Sequence, residues 1–163
     1  MKTLRLTAAF IFFGSLMIYA QDVKPLSSPA QVDSLINSYS GKVLIVNLWA
    51  TWCDPCVAEF PDLVKLYQDY KDRNLALVFI SLDQPGDLNT KVLPFLKSNG
   101  VDFITYINKF KKQEDLINAI DKDWDGAIPA TYIYDRKGKM IGSMIGRKTY
   151  AEFEREIRED IPN

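Results

Sequence analysis

The sequence of 163 residues contains no histidine and only two cysteines, Cys53 and Cys56. A structural zinc site needs four ligands, usually two cysteine pairs or one pair with histidines. A copper chaperone that adds a histidine to two cysteines is disfavoured for the same reason. One pair also cannot form a framework of several disulfides. The pair is therefore free for chemistry, and we expect no metal.

Neither sign of charge is in excess, because 20 basic residues stand against 21 acidic ones, a net charge of −1. Nucleic-acid-binding proteins usually carry a clear basic excess. Lys109, Lys111 and Lys112 cluster, but a solvated face explains three lysines more simply. No internal repeat, low-complexity tract or linker is visible. We therefore expect no nucleic-acid partner.

The chain begins with a pattern that is typical of export. Lys2 and Arg5 precede the uncharged apolar stretch from Leu6 to Tyr19, and Ala20 supplies the small residue that a signal peptidase needs. The apolar stretch is short for a membrane span of about 20 residues. We predict a signal peptide over 1–20 and one domain over 21–163, in the periplasm or cell envelope. Membrane association would require that the segment stays uncleaved, and this alternative is left open.

The cysteine pair lies where a predicted strand meets a predicted helix. The apolar run Val43–Trp49 precedes the pair, and helical spacing of apolar residues follows it from Asp54 to Tyr70. A helix N-terminus offers unpaired N–H groups and partial positive charge, which favour the reactive thiolate. The position therefore predicts a redox-active pair. A purely structural disulfide remains the alternative, although it would close a very short loop.

Periodicity predicts an α/β protein with a central mixed sheet and helices on both faces. Ser28 and Pro29 mark the start of the first helix. The other predicted elements are strands at 43–49, 75–82, 103–107, 130–134 and 140–145, and helices at 54–70, 88–99, 116–120 and 149–161. Pro61 should kink its helix, while Pro94 either kinks the next one or marks its true start. A turn at Asp135-Arg136-Lys137-Gly138 predicts a hairpin between the last two strands.

Two segments of the chain resemble the landmarks of one family. The run from Asn47 through Trp52-Cys53-Asp54-Pro55-Cys56 resembles the active-site segment of the thioredoxin superfamily. Its continuation to Pro61 is similar to exported TlpA/ResA-type thiol-disulfide oxidoreductases. Ile128-Pro129-Ala130-Thr131 resembles the second landmark, a cis-proline that faces the cysteine pair. The resemblance covers roughly Ser28 to Ile161 and implies a thioredoxin-like three-layer fold.

The resemblance implies catalysis by thiol–disulfide exchange with no cofactor besides the redox-active disulfide Cys53–Cys56. Cys53 would attack a substrate disulfide, and the more buried Cys56 would resolve the mixed disulfide. Trp52, Asp54, Pro55, Ile128 and Pro129 would form the surface that binds substrate. The implied partners are disulfide-containing exported proteins and a membrane thiol-electron donor. Apocytochrome c, misfolded exported proteins and an oxidative-stress client are all compatible substrates.

Asn47 departs from thioredoxins proper, which often carry a buried acid at that strand position. An amide cannot exchange a proton at neutral pH, and a buried amide needs a hydrogen-bond partner. Glu59 lies three residues after Cys56 and can share its helix face. ResA-type proteins have an acid at this position, so Glu59 is a candidate proton relay for Cys56. The alternative is an acid that merely suits the first helical turn.

Charge within the motif indicates the direction of the reaction. Asp54 places a negative charge between the cysteines and opposes thiolate formation. A strongly oxidising pair depends on a very stable thiolate, so we predict a reducing protein. We expect Trp52 to shape the docking surface and Trp49 to lie in the core. Trp124 lies shortly before Pro129 and could contribute to the substrate groove.

The sequence argues against two other functions and leaves a third as the alternative. The segment 121–126 begins like a calcium loop, but position twelve would be Tyr132 rather than an acid, which argues against calcium. A peroxiredoxin-type peroxidase would need Pro and Thr where the chain has Val46 and Ala50, so a peroxide-linked antioxidant role is disfavoured. A redox-silent binding module or chaperone on the same fold is the remaining alternative.

Overall fold

The computed structural model describes residues 22–161. The predicted signal peptide at 1–20 lies outside the described residues. The strands are β1 (Val23–Leu26), β2 (Val43–Trp49), β3 (Leu75–Ser81), β4 (Thr105–Asn108), β5 (Ala130–Tyr134) and β6 (Met140–Ile145). The α-helices are α1 (Pro29–Ser38), α2 (Asp54–Tyr70), α3 (Leu93–Ser98), α4 (Gln113–Ile120) and α5 (Tyr150–Ile157). None of the helices in 22–161 is long and apolar enough to cross a bilayer.

The strands form one six-stranded mixed sheet in the order β1-β4-β3-β2-β5-β6. The first four strands in this order are parallel, and β5 and β6 are antiparallel. The central strands β2 and β3 pair along their full length, from Val43 with Leu75 to Trp49 with Ser81. Every residue of both strands is buried, as expected for strands covered on both faces. The predicted fold class is confirmed.

Two hydrophobic cores lie on opposite faces of the sheet, because successive side chains of a strand point to opposite sides. One core joins Val43, Ile45 and Trp49 of β2 to the apolar sides of α2 and α5. The other joins Leu44, Val46 and Leu48 to α1 and α4. Asn47 has the same parity as Ile45 and Trp49, so its amide faces α2. This parity places the polar residue of β2 beside the helix that carries the cysteines.

An aromatic cluster holds α2 against the sheet. Phe60 stacks on Phe79 of β3 at a centroid distance of 4.0 Å and lies 4.7 Å from the ring of Trp49. Phe95 of α3 closes the cluster at 4.9 Å from both Trp49 and Phe60. Phe60 and Trp49 are fully buried, which confirms the predicted core role of Trp49. The start of α2 is thus fixed relative to the sheet by packing.

Most predicted helix ends are confirmed by their caps. Ser28 accepts a hydrogen bond from the backbone N–H of Gln31, although the Gln31 side chain returns to the N–H of Ser27 rather than Ser28. Thr149 and Glu152 form a capping box at the predicted start of the last helix. The closing helix α5 ends at Ile157, earlier than predicted, but Ile161 is still buried in the core. The predicted hairpin forms around Asp135, whose carboxylate accepts two backbone N–H groups.

Two elements differ from the sequence-based prediction. Strand β1 was not predicted, because it has only four residues and contains Pro25, and both features weaken a strand signal. The segment predicted as one helix at 88–99 begins with a wide π turn over Leu88–Val92, and the α-helix starts at Leu93. Pro94 lacks the N–H that an uninterrupted helix would need. Pro94 therefore marks the true start of α3, which was one of the two expected outcomes.

Candidate active site

The two cysteines lie at the N-terminus of α2 and are joined by a disulfide. Cys53 is the N-cap residue, and its Sγ accepts a hydrogen bond from the backbone N–H of Cys56 at 3.3 Å. Cys53 is 6% exposed and Cys56 is 1% exposed. The same N–H group would stabilise a thiolate on Cys53 after reduction. The geometry thus favours Cys53 as the sulfur that meets a substrate and Cys56 as its buried partner.

The loop before β5 lies against the disulfide. The Ile128–Pro129 peptide bond is cis, as the resemblance implied. The carbonyl oxygen of Ile128 lies 3.8 Å from Cys53 Sγ. Ile128 is half-buried and Pro129 is buried. The structure therefore brings these two predicted residues directly beside the cysteine pair, although they follow it by more than seventy positions.

The predicted surface residues around the pair are open to solvent. Trp52 is 63% exposed, the most exposed of the large hydrophobic residues described. Asp54 and Pro55 are also exposed and form the first turn of α2. An exposed indole beside a reactive disulfide is a contact surface for apolar groups. Trp52, Asp54 and Pro55 therefore surround the edge of the disulfide that a partner protein can reach.

Glu59 lies in a buried hydrogen-bond network under the cysteines. Its side chain is 1% exposed, one turn of α2 beyond Cys56. Glu59 Oε1 accepts a hydrogen bond from Asn47 Nδ2 at 3.0 Å, and Oε2 accepts one from the backbone N–H of Lys148 at 2.8 Å. Asn47 Nδ2 also donates to Thr131 Oγ1. The buried partner that Asn47 was predicted to need is therefore Glu59, together with Thr131.

Burial dominates the electrostatics of Glu59. It raises the pKa of the carboxyl from 4.5 to about 7, while the hydrogen bonds from Lys148 and Asn47 and the charges of Lys148 and Arg147 oppose the rise. A carboxyl that titrates near neutral pH can hold or release a proton under ordinary conditions. The alternative of an acid that merely suits the first helical turn does not describe Glu59, because Glu59 lies in the second turn of α2 and Asp54 is the acid of the first turn.

Asp83 anchors the loop that leads into the cysteine pair, and the sequence analysis missed it. Its buried carboxylate accepts hydrogen bonds from both the backbone N–H and the hydroxyl of Thr51, and from the hydroxyl of Ser81. The backbone N–H of Leu82 also donates to the carbonyl of Trp49 at 2.7 Å. These contacts fix the segment before Cys53 to the end of β3. An acid directly after a buried strand was the only sequence signal available.

A cleft of about 680 Å³ opens beside the disulfide. It begins at Trp52 and Ile128, which flank Cys53, and extends along Asp83 to Pro85 and the segment 108–111. Trp124 lines it as well, although the ring is only 5% exposed and its Nε1 donates to the carbonyl of Ala127. Trp124 therefore lies in the wall of a cleft near the site, and its place in a substrate groove stays a prediction. We refer to this feature as the side cleft.

The acidic segment 121–126 makes local turns. Asp121 accepts a hydrogen bond from the backbone N–H of Asp123, and Asp125 accepts one from Ala127. Within residues 22–161 no three acidic or cysteine side chains gather as a metal site would require. The carboxylates at 121 and 125 thus stabilise the loop that leads to Pro129.

Comparison with known proteins agrees with this geometry. The AhpC/TSA family matches residues 26–142. The thiol-disulfide oxidoreductase ResA of Bacillus thuringiensis is 27% identical over 127 residues, which is 78% of this chain and 68% of the relative. The thioredoxin-like protein YneN of Bacillus subtilis is 30% identical over 128 residues, 78% of this chain and 70% of the relative.

A solved structure gives the same result for the fold. A thiol:disulfide interchange protein of the thioredoxin family from Chlorobium tepidum superposes with a TM-score of 0.65 and is 26% identical. The match covers 86% of this chain and 97% of the other. The predicted thioredoxin-like fold is confirmed. The ResA relative and the Chlorobium protein are both named for thiol-disulfide chemistry, which a cysteine pair at a helix N-terminus can perform.

Proposed function

The chain belongs to the AhpC/TSA family, and we propose that within it the protein is an exported thiol-disulfide oxidoreductase that reduces protein disulfides through Cys53 and Cys56. The observation that carries this proposal is the Cys53–Cys56 disulfide at the N-terminus of α2, with Ile128 and Pro129 beside it. Thiol–disulfide exchange needs only sulfur atoms, so no further cofactor is required.

The first step is attack by the reduced enzyme on a substrate disulfide. The Cys53 thiolate forms a bond to one substrate sulfur, the substrate S–S bond breaks, and the other substrate sulfur leaves as a thiolate that takes a proton. The N–H of Cys56 stabilises the Cys53 thiolate before attack. The backbone at Ile128 and Pro129 lies where an extended substrate chain would pass beside the sulfur. The product is a mixed disulfide.

The second step releases the substrate. Cys56 loses its proton and attacks Cys53 Sγ, which forms the intramolecular disulfide and expels the second substrate thiolate. Two electrons have then passed to the substrate, and the enzyme is oxidised. A thiol donor at the membrane must return those electrons. The disulfide in the structure corresponds to this oxidised state.

Glu59 would accept the proton of Cys56 during the second step. It is buried on the same helix one turn further on, and its pKa of about 7 suits both uptake and release of a proton. Glu59→Gln should shift the pH profile of the two thiols in the reduced protein, measured by the rate of alkylation. Identical thiol titrations in the variant and the wild type would reject the relay.

Export and the reducing direction rest on the sequence. A charged start followed by an apolar stretch and Ala20 supports export to the periplasm or cell envelope. Asp54 beside the sulfurs opposes a very stable thiolate and supports a reducing rather than an oxidising pair. A measured reduction potential close to that of the strongest periplasmic oxidant, about −120 mV, would contradict the reducing direction.

The test is reduction of insulin with the two cysteines replaced in turn. The wild type should catalyse the reaction, and both Cys53→Ser and Cys56→Ser should abolish turnover. Cys56→Ser should in addition hold a mixed disulfide to its partner long enough for identification by mass spectrometry. Activity that survives in Cys53→Ser would instead favour a redox-silent binding module or chaperone.

A peroxidase is not proposed. The peroxiredoxin pattern would place proline and threonine at positions 46 and 50, which here hold Val46 and Ala50, both fully buried. Thr51 follows position 50 directly, but its hydroxyl donates a hydrogen bond to Asp83. The residues that would surround a peroxide-reactive cysteine are therefore missing from this site.

A further inference from the structure

The side cleft begins at the reactive disulfide and extends well beyond the residues that act in the two exchange steps. Trp52 and Ile128 form its end nearest Cys53. Its volume of about 680 Å³ lies within the range of roughly 300–1,000 Å³ that is typical of ligand pockets. A chain bound at Cys53 would therefore have room for side chains next to the sulfur that reacts.

Apolar and polar groups contribute about equally to the lining of the side cleft. Leu82, Phe110, Leu116 and Trp124 contribute side chains to it, together with Trp52. Aromatic side chains of this kind bind apolar groups through large contact areas. One part of the lining thus favours aliphatic or aromatic side chains of a bound chain.

Two lysines give the side cleft a positive charge. Lys109 and Lys111 line it, both are exposed, and neither has an ion-pair partner among residues 22–161. The lining carboxylate, Asp83, is buried, and both of its oxygens accept hydrogen bonds from Thr51 or Ser81. Asp125, between the lining residues Trp124 and Gly126, is already bonded to the N–H of Ala127. Of the charged residues that line the cleft, Asp83 is buried and the two lysines are exposed, so the charge that a bound chain would meet at the surface is cationic.

We propose that the side cleft is a recognition subsite for a protein substrate whose reactive cysteine is flanked by an apolar residue and one or two carboxylates. The apolar side chain would pack on Trp52 and Phe110, and the carboxylates would pair with Lys109 and Lys111. Charge complementarity chooses this occupant over a basic segment, because two unpaired lysines would repel it. The inference rests on the proposed reductase function and adds a preference among its substrates.

The test uses three disulfide-linked peptides that differ only at two positions next to the cysteine, which hold glutamate, lysine or glutamine. The second-order rate constant for reduction by the pre-reduced full chain is measured at low salt. The glutamate peptide should react about fivefold faster than the lysine peptide. A factor of this size is typical of what exposed ion pairs contribute. The difference should shrink at high salt because the charges are screened.

Charge reversal identifies the residues responsible. The double variant Lys109→Glu/Lys111→Glu should abolish or invert the preference for the glutamate peptide over the lysine peptide. Lys137→Glu/Lys139→Glu is the matched control, because it changes the net charge by the same amount and both lysines are exposed in the hairpin at the far end of β5. It should leave every rate unchanged.

The outcomes separate this inference from the function on which it rests. Equal rates for the glutamate and lysine peptides, or a preference that survives charge reversal, would overturn the subsite while the reductase activity stands. Failure to reduce even the glutamine peptide would overturn both. A preference lost through concentration-dependent dimerisation, seen by sedimentation, would assign the cleft to a second copy of the chain and also overturn the proposal.

Discussion

Replacement of Glu59 by Gln probes the buried network through the dependence of stability on pH. Burial raises the pKa of Glu59 from 4.5 to about 7, so between these values the folded protein holds a proton that the unfolded chain has released. Because folding raises the carboxyl pKa, the free energy of unfolding falls as pH increases through this window. The whole loss of stability is present above pH 7. Each pH unit by which the pKa rises corresponds to about 1.4 kcal/mol, so ionisation of the buried Glu59 lowers the free energy of unfolding by about 3 kcal/mol.

Glutamine has no proton to release in this pH range, so the variant lacks this pH dependence. The substitution also lowers the free energy of unfolding by an amount that does not depend on pH. One amide oxygen can still accept a hydrogen bond, but the amide nitrogen must face either the amide of Asn47 or the N–H of Lys148, and both are donors. Such a conflict costs about 1–3 kcal/mol. The variant should therefore be less stable than the wild type at pH 4.5 and gain about 3 kcal/mol relative to it by pH 8.

The assay is urea unfolding of the oxidised protein at several values between pH 4.5 and 8. In this state Cys53 and Cys56 are bonded to each other and cannot titrate, so the difference between variant and wild type isolates Glu59. Glu159→Gln, at an exposed acid beyond α5, should leave the curve parallel to that of the wild type. Curves for Glu59→Gln and the wild type that stay parallel within about 1 kcal/mol would show that Glu59 does not titrate with a raised pKa, because extrapolated free energies are reliable at about that level.

Two further predictions concern the support of the site. Asp83→Asn should lower the free energy of unfolding by about 1–3 kcal/mol, because one of the donors that bond to the carboxylate loses its acceptor. Urea unfolding measures the loss. The control Asp33→Asn, at an exposed position, should change the stability very little. A loss for Asp83→Asn no larger than that of the control would contradict the anchoring of Thr51. Phe60→Ala should cost about 3–5 kcal/mol, because it empties the centre of the aromatic cluster; a loss below about 2 kcal/mol in the same assay would show that neighbouring rings fill the space.

The sequence predicted the central elements well because their signals are local. Strands β2 and β3 are continuous apolar runs, and such runs of seven residues predict strands covered on both sides. The cysteine pair followed by helical spacing predicted the start of α2. Strand β1 failed the same test, since four residues with a proline are recognisable as a strand only through their pairing with β4.

The partners in the site come from distant parts of the chain, and this is where the sequence-based prediction stopped. Glu59 was a candidate, but its bonds to Asn47 and to the N–H of Lys148 join positions separated by 12 and 89 residues. Asp83 was missed because its role depends on Thr51, 32 residues away. No local pattern specifies which buried polar groups will meet.

The reactive unit is predictable from the sequence, because a cysteine pair, a strand before it and a helix after it are adjacent in the chain and need only local backbone geometry. The environment of that unit depends on how the whole chain packs. Packing sets which carboxyl is buried beneath the cysteines and which loop is anchored behind them, and it brings Lys109 and Lys111 to a cleft that begins beside Cys53. Burial, and with it the pKa of Glu59, is a property of the packed sheet and helices together, so no local stretch of sequence specifies it.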